Sequence, residues 1–365
     1  MDGTKPYGGL EARRSGFFTK PRAAVSLLFL MNGFTVGCWA PKIPEFAERL
    51  QLSKFELGLM ILVFGFGSLV MMPLAGAQIA GRGSKIVAKV SAVLLLPMLM
   101  ALTVTQSVWS AVIAIFLFGG FIGAMDVAMN ANAVAVEKSM RRAIMSSCHA
   151  FWSLGGLIGS AIGGYLISHW GVLGHAEAAT VLSVIFLAAA WPMIFSDQPH
   201  PDAEKPKARL PTIPLPWLVG MMALFCMVPE GAVLDWGALY LRQDLGASVA
   251  LSGLGFAAFS LTMATMRFAG DFVRDRLGAV KTLRVCTVFA IAGMLLASLS
   301  ASAELAIIGF ALCGIGISNM VPIAFSAAGN IPGLQPGIGI SVVTTMGYSG
   351  MLVAPSAIGF AAEHV

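Results

Sequence analysis

The sequence predicts an all-α polytopic membrane protein with about eleven transmembrane helices. Of its 365 residues, 57% are hydrophobic and only 11% are charged, whereas about a quarter of the residues in a soluble domain are charged. Apolar runs of about 20 residues, the length that crosses roughly 30 Å of hydrocarbon, recur along the whole chain. The short segments between these runs hold most of the lysines and arginines, which is typical of a protein with many membrane spans.

The apolar runs define the predicted helices in chain order. They lie near residues 23–40, 57–80, 86–105, 108–132, 148–169, 176–195, 216–240, 249–270, 282–300, 305–326 and 338–361. With a cytoplasmic N-terminus, the 23 lysines and arginines all fall on cytoplasmic segments or helix ends except Lys42, Arg49, Lys54 and Arg242. Because cytoplasmic loops carry an excess of Lys and Arg, we expect an inner-membrane (plasma-membrane) protein whose N-terminus is cytoplasmic.

Charge and cysteine content argue against other classes of protein. The net charge of +5 comes from bases spread over short loops, without a basic patch interleaved with aromatic residues, so no nucleic-acid partner is expected. The five cysteines lack the spacing of metal ligands. Neither a G-x-S-x-G elbow nor a phosphate-cradling loop is present. The sequence therefore predicts a protein that is not an enzyme and that has no cofactor or metal site.

The chain divides into four predicted segments. A cytoplasmic N-terminal tail covers residues 1–22, and a first half with six helices covers residues 23–195. A cytoplasmic linker, residues 196–215, is rich in proline and charge. The second half, residues 216–365, contains five predicted helices.

The two halves carry an internal repeat. The matching segments, 195 to 198 residues apart, are Trp152-Ser153 with Tyr348-Ser349, 160–163 with 356–359, 80–83 with 275–278, and Asn32-Gly33 with Glu230-Gly231. Several matches in the same order at nearly one offset indicate a duplicated architecture. At this offset, a partner for the sixth helix would begin near residue 372. We therefore expect a twelve-helix design that lacks its last helix.

Few ionisable or amide side chains lie within the apolar runs. Asp126 is the only acid of the run that begins at Val108, and Asn130 follows four residues later on the same helix face. Glu230 follows Pro229 near the middle of its run, where a break in the helix frees backbone carbonyls. An uncompensated ionisable group at membrane depth costs roughly 3 kcal/mol or more, which marks both acids as functional candidates. The alternative is that these polar side chains bridge helices or cap kinks.

The sequence resembles the major facilitator superfamily over essentially the whole chain. The most specific motif is the cytoplasmic loop after the second helix of each half, a glycine followed by D-R-x-G and a base. The second half keeps this motif as Gly270, Asp271, Asp275, Arg276, Gly278 and Lys281. The first half has Ala80 and Gly81 in place of the acid and the arginine. Within the superfamily, four short segments are most similar in sequence to YbjJ-type inner-membrane transporters, which are relatives of fucose-permease-like sugar:proton symporters. These segments are 32–33, 126–130, 148–153 and 230–231.

The resemblance implies a central cavity lined by helices one, four, seven and ten, between halves that rock to give alternating access. It implies substrate-binding roles for Asn32, Asp126, Asn130, Trp152, Glu230, Trp236 and Asn319, and proton-coupling roles for Asp126 and Glu230. The two tryptophans could instead belong to an interfacial aromatic belt. A charged cluster is either a salt-bridged cytoplasmic gate or a set of positive-inside anchors, and it comprises Arg267, Asp271, Asp275 and Arg276.

The function expected from these features is secondary active transport of a small solute. We expect a proton-coupled symporter of a sugar-like polar compound. A proton-coupled efflux antiporter of amphipathic compounds remains an alternative, as does a non-transporting sensor or degenerate relic. The expected partners are the solute, protons and the lipid bilayer, and the protein is expected to be a monomer.

Overall fold

A computed structural model describes residues 19–140, 144–197, 211–329, 331 and 336–364. Within these ranges all regular secondary structure is helical, which confirms the predicted fold class. A short 3₁₀ helix, Ala40–Lys42, joins the first two α-helices. The α-helices are α1 Lys20–Trp39, α2 Ile43–Arg49, α3 Lys54–Arg82, α4 Ser84–Leu95, α5 Met98–Val104, α6 Val108–Met140, α7 Met145–Ala190, α8 Leu215–Gln243, α9 Val249–Ser298, α10 Ala303–Ile317, α11 Met320–Gly329 and α12 Pro336–His364.

Polar side chains cap the start of several helices. Ser53 accepts a hydrogen bond from the backbone N–H of Glu56, whose carboxylate accepts the N–H of Ser53, and this capping box starts α3. Ser248 and Ser302 cap α9 and α10 in the simpler one-sided way. Asp197, from the start of the predicted linker, accepts the N–H of Ser84 at 2.9 Å and so caps α4. These bonds satisfy N–H groups that a helix leaves unpaired at its N-terminus.

Two helices are too long for a single membrane span. α7 has 46 residues and α9 has 50, which correspond to about 69 and 75 Å at 1.5 Å per residue. α7 bends at Gly171, where φ is 71°, and α9 bends at Gly278, where φ is 74°. Glycine adopts such a positive φ without the strain that a Cβ would cause. The bends fall between predicted spans five and six and between predicted spans eight and nine.

Nine helical stretches in the described part of the chain are long and apolar enough to cross a membrane. One of them, Ser147–Ala190, contains predicted spans five and six on either side of its bend. α12 covers the predicted last span, 338–361. The protein is therefore a multi-pass membrane protein, and eleven stays the predicted number of spans.

Helix pairing follows the same pattern in both halves. α1 packs along α7 and α8 along α12, while α3 packs along α6 and α9 along α10. The loop glycines also correspond, because Gly83 has φ 81° and ψ 160° and Gly278, 195 residues later, has φ 74° and ψ 160°. This pairing brings together polar side chains of α1, α6, α7, α8, α9 and α12.

One close helix contact depends directly on a glycine. A Cβ on Gly33 of α1 would overlap the backbone of Trp152 of α7, whose carbonyl carbon would be 2.7 Å away. Carbon atoms in favourable contact are about 3.5 to 4.0 Å apart. The missing side chain therefore lets α7 approach α1 closely enough for Trp152 to reach Asn32.

Candidate functional site

Asp126 lies in the middle of α6 and accepts hydrogen bonds from two helices. Its Oδ1 accepts a bond from Asn130 Nδ2 at 3.2 Å, as the spacing of four residues predicts. The same Nδ2 donates to the backbone carbonyl of Asp126 at 2.9 Å. Oδ2 accepts a bond from the hydroxyl of Tyr348 at 3.3 Å. Because Tyr348 belongs to α12, this last bond connects the two predicted halves.

Glu230 lies in the middle of α8, one residue after Pro229, and forms an ion pair. Its Oε2 is 3.9 Å from an Nη of Arg267 on α9, and each of the two side chains is only 12% exposed. The other Nη of Arg267 donates to Ser153 Oγ on α7 at 2.9 Å. One guanidinium thus contacts a carboxylate in its own half and a hydroxyl in the other half.

Space is available beside Glu230. The next residue, Gly231, is buried, and a Cβ placed on it would meet no atom of the described residues within 4 Å. The paired glycine of the first half, Gly33, has no such space. An open volume beside a buried carboxylate is the arrangement that a solute site requires.

Asn32 and Trp152 form a second polar contact, within the first half. Asn32 is 1% exposed and accepts a hydrogen bond from Trp152 Nε1 at 2.9 Å. Its Nδ2 donates to the carbonyl of Ile122 on α6 at 3.3 Å. Both polar ends of Asn32 are therefore occupied by protein partners, and the amide fixes the orientation of the Trp152 ring.

Asn319 lies at the junction between α10 and α11 and binds the backbone of α9. Its Nδ2 donates to the carbonyl of Met266 at 3.4 Å and to Ser318 Oγ at 3.2 Å. The structure thus places Asn319 beside the residue that precedes Arg267. In this geometry Asn319 positions α9.

Trp236 packs apart from these contacts. It lies six residues after Glu230, about 9 Å further along α8 towards the predicted outer end. Its ring carbons would be 3.1 Å from a Cβ on Gly359 of α12. The indole N–H is buried and has no hydrogen-bond partner among the described residues. The structure therefore places Trp236 in helix packing and does not bring it together with the acids.

The four predicted gate residues fall into different environments. Arg267 lies at membrane depth beside Glu230, as described above. Arg276 is exposed, two residues before the bend at Gly278. The side chains of Asp271 and Asp275 lie outside the described residues. A gate built from these residues stays a prediction.

Hydrogen bonds and ion pairs of described residues join the halves at the centre and at the predicted outer end. Beyond the two central contacts, Ser160 Oγ donates to the carbonyl of Gly253 at 2.6 Å and Ser356 Oγ donates to that of Gly58 at 3.0 Å. At the helix ends, ion pairs join Arg242 with Glu48 at 3.2 Å and Lys54 with Asp244 at 3.9 Å. The halves are therefore in contact at the predicted outer end.

Two members of the central contacts were absent from the sequence-based candidates, namely Tyr348 and Ser153. The repeat contained the signal for both, because Trp152-Ser153 and Tyr348-Ser349 match at an offset of 196 residues. Each pair carries a polar aromatic side chain within a predicted span. The repeat could not indicate that the tyrosine contacts the opposite half.

The sequence matches a family model and a known relative over most of its length. The family model described as Major Facilitator Superfamily matches residues 25–355. An uncharacterized MFS-type transporter of Yersinia pestis is 35% identical over 349 residues, which cover 94% of this chain and 89% of that protein.

Solved structures of two transporters have the same fold. A mutant of the nucleoside transporter NupG has a TM-score of 0.74 at 10% sequence identity, covering 94% of this chain and 92% of that one. A D-xylose-proton symporter has a TM-score of 0.70 at 14% identity, covering 93% of this chain and 89% of that one. At these identities the likeness concerns the fold.

Proposed function

The chain belongs to the major facilitator superfamily, and on this premise we propose that it imports a small polar solute by proton-coupled symport. Membership makes it a membrane transporter, not an enzyme. The observation that carries the proposal is the pair of mid-membrane carboxylates, Asp126 and Glu230, each in contact with a side chain from another helix. Carboxylates at this depth are energetically costly, and those that a protein retains there are candidates for a role in transport.

The groups around the two acids suit a polyhydroxylated, sugar-like solute. The carboxylate oxygens of Asp126 and Glu230 accept hydrogen bonds, while Arg267 and Tyr348 donate them. Sugar hydroxyls both donate and accept, so one solute can bond to all four side chains. The Trp152 ring, held by its N–H, offers a flat apolar surface for stacking. The space beside Gly231 supports placing the solute next to Glu230.

The negative charges of the two acids are compensated by different kinds of group. Glu230 is paired with Arg267, whereas Asp126 receives hydrogen bonds only from the neutral groups of Asn130 and Tyr348 and has no ion pair with any described residue. A carboxylate without a counter-ion is costly as an anion at membrane depth. We therefore assign proton carriage to Asp126 in the first place and a coupled role to Glu230.

Alternating access accounts for the contacts between the halves. The contacts at the predicted outer end oppose entry of a solute from that side in this conformation. Import requires the outer ion pairs, Arg242 with Glu48 and Lys54 with Asp244, to open in the opposite conformation. Exposed ion pairs contribute only about 0 to 1 kcal/mol each, so these contacts are weak enough to break in every cycle.

The proposed subfamily and membrane location rest on features of the sequence. We assign the chain to the YbjJ-type, fucose-permease-like branch on the segments at 32–33, 126–130, 148–153 and 230–231. The distribution of Lys and Arg supports an inner-membrane location with a cytoplasmic N-terminus. We further propose that the transporter acts as a monomer.

The experiment that tests the proposal follows proton movement driven by a solute. Purified protein in proteoliposomes is exposed to a panel of sugars and of amphipathic compounds, and external pH is recorded. Symport predicts external alkalinisation, because protons enter with the solute. Asp126→Asn and Glu230→Gln should abolish the pH signal, whereas Glu304→Gln should retain it, since Glu304 is an exposed carboxylate in the first turn of α10.

Three other outcomes contradict the proposal in different ways. Solute uptake without a pH signal would make the protein a facilitator. External acidification by an amphipathic compound would indicate efflux antiport. If no compound of the panel moves or binds, the sensor or relic interpretation takes its place.

A further inference from the structure

We infer that Arg267 is a positioning residue that links the charge of Glu230 to the contact between the two halves. The inference deepens the proposed function and rests on it for the role of Glu230. It concerns a residue that sequence analysis assigned to a cytoplasmic gate. Arg267 lies 11 residues before the bend at Gly278, about 16 Å inside the helix.

The first observation is the geometry of the bridge that Arg267 forms between Glu230 and Ser153. Two different nitrogens of Arg267 contact Glu230 at 3.9 Å and Ser153 at 2.9 Å. The distance to Glu230 exceeds that of a hydrogen bond, and the distance to Ser153 is that of a direct one. The guanidinium is thus bonded to the first half while its counter-ion lies in the second.

The second observation is that Ser153 suits this role chemically. Its side chain is fully buried, and its hydroxyl donates to the carbonyl of His149 at 3.3 Å. Because a serine hydroxyl has one hydrogen and two lone pairs, it can donate to His149 and accept from Arg267 at once. The bridge therefore leaves no polar atom of Ser153 unsatisfied.

The third observation is that the backbone on both sides of Arg267 is anchored. Asn319 binds the carbonyl of Met266. On the other side, the Phe268 ring lies edge-on to the Phe151 ring of α7, with centroids 6.5 Å apart. These contacts limit movement of α9 at this level, so the direct response of Arg267 to Glu230 is a movement of its guanidinium.

The charge of Glu230 determines whether this bridge favours contact or separation of the halves. Arginine stays protonated in proteins, so a neutral Glu230 leaves a buried cation without a counter-ion, which is unfavourable. The guanidinium must then move or become hydrated, and either change weakens its bond to Ser153. The other titratable groups near the pair are Tyr348 and Cys313, within electrostatic range of Glu230, and His149, within range of Arg267. Neutral Glu230 thus favours separation of the halves.

The test measures the conformational equilibrium without any solute. Spin labels are attached to cysteines at Gln106 and Ala301, exposed positions in equivalent outer loops of the two halves. The native cysteines are all buried. Distance distributions in lipid nanodiscs give the ratio of closed to open molecules at acidic and alkaline pH. We expect acidification to shift the wild-type ratio towards the open form by about tenfold, the effect of one hydrogen bond to a charged group.

Matched variants separate the bridge from ordinary packing. Ser153→Ala should favour the open form and reduce the pH response, and Glu230→Gln should give an open-shifted ratio whose remaining pH response comes from Asp126, because the bond of Asp126 to Tyr348 also joins the halves. Ser160→Ala is the control, because it removes another buried hydrogen bond between α7 and α9 that involves no charge. It should shift the ratio by a similar factor at every pH and preserve the response.

Two results would overturn the inference. One is a pH response in Ser153→Ala equal to that of the Ser160→Ala control, which would reduce the bridge to a structural contact. The other is a wild-type ratio that does not change with pH. Failure of the proposed function is recognised separately, by proteoliposomes in which no solute moves protons, because the spin-label experiment needs neither solute nor transport.

Discussion

Gly33→Ala should destabilise the protein, whereas Gly231→Ala should not. The two glycines occupy equivalent positions of the repeat, so the pair is an internal control. A Cβ on Gly33 would overlap the backbone of Trp152, while a Cβ on Gly231 would meet nothing within 4 Å. The overlap can be relieved only if α1 and α7 move apart.

The magnitude follows from three contributions. Overpacking in a dense interior costs about 1 to 3 kcal/mol. Separation of the helices also weakens the hydrogen bond from Trp152 to Asn32, which contributes about 1 kcal/mol. Alanine is better than glycine in a helix by about 1 kcal/mol. The sum is a loss of about 1 to 3 kcal/mol for Gly33→Ala and a change between zero and a gain of about 1 kcal/mol for Gly231→Ala.

The assay is reversible unfolding in mixed detergent micelles, titrated with sodium dodecyl sulfate and followed by tryptophan fluorescence. Trp152→Phe adds no volume but leaves the buried Asn32 Oδ1 without its donor, so by itself it should lower the free energy of unfolding by about 1 to 3 kcal/mol. Equal free energies of unfolding for the Gly33→Ala and Gly231→Ala proteins would refute the reasoning, because the two positions would then have the same room for a side chain.

Further predictions concern the centre, a helix cap and the outer end. Tyr348→Phe keeps the ring but removes the hydroxyl bound to Asp126, so solute-driven proton uptake in proteoliposomes should fall about tenfold. Asp197→Ala removes the cap of α4 at Ser84 and should lower the free energy of unfolding by about 1 kcal/mol in a denaturant titration. Arg242→Gln breaks the outer ion pair, which contributes at most about 1 kcal/mol. Labelling of a cysteine at the outer end should therefore rise less than about fivefold. The rise should be smaller at high salt, because salt already weakens the pair in the wild type.

Each of these expectations can fail in a recognisable way. Undiminished proton uptake in Tyr348→Phe would show that the bond to Asp126 plays no part in transport. An unchanged unfolding titration for Asp197→Ala, with Asp197→Asn as the isosteric control, would contradict the role of the cap. A rise in labelling for Arg242→Gln that is independent of salt would point to a packing change instead of a lost ion pair.

Much of the central site was predictable because membrane depth restricts polar residues. Asp126 and Glu230 could be identified from the sequence, since ionisable groups in long apolar runs are rare and costly. The bond between Asn130 and Asp126 followed from helical spacing alone. Trp152 was a candidate from its position in a span, although its pairing with Asn32 depends on how closely α7 approaches α1.

Arg267 shows a contact that sequence reasoning did not predict, namely its ion pair with Glu230. Sequence reasoning groups it with Asp275 and Arg276 because Arg267 lies near the end of the predicted eighth span, 249–270, and the other two follow that end. Eight residues of helix separate Arg267 from Asp275, which is about 12 Å of depth. That distance takes Arg267 to the level of Glu230, a residue 37 positions earlier in the chain.

The sequence by itself determined that the chain is helical, that it crosses a membrane many times, and that its halves repeat, because length, hydrophobicity and periodic spacing are local properties. Which of its 41 glycines take a positive φ, as Gly171 and Gly278 do at the bends, is seen only in the structure. Only the tertiary structure decided that Tyr348 and Arg267 join the halves and that Trp236 packs between helices. Contacts between residues far apart in the chain depend on helix rotation and crossing, which no local pattern specifies.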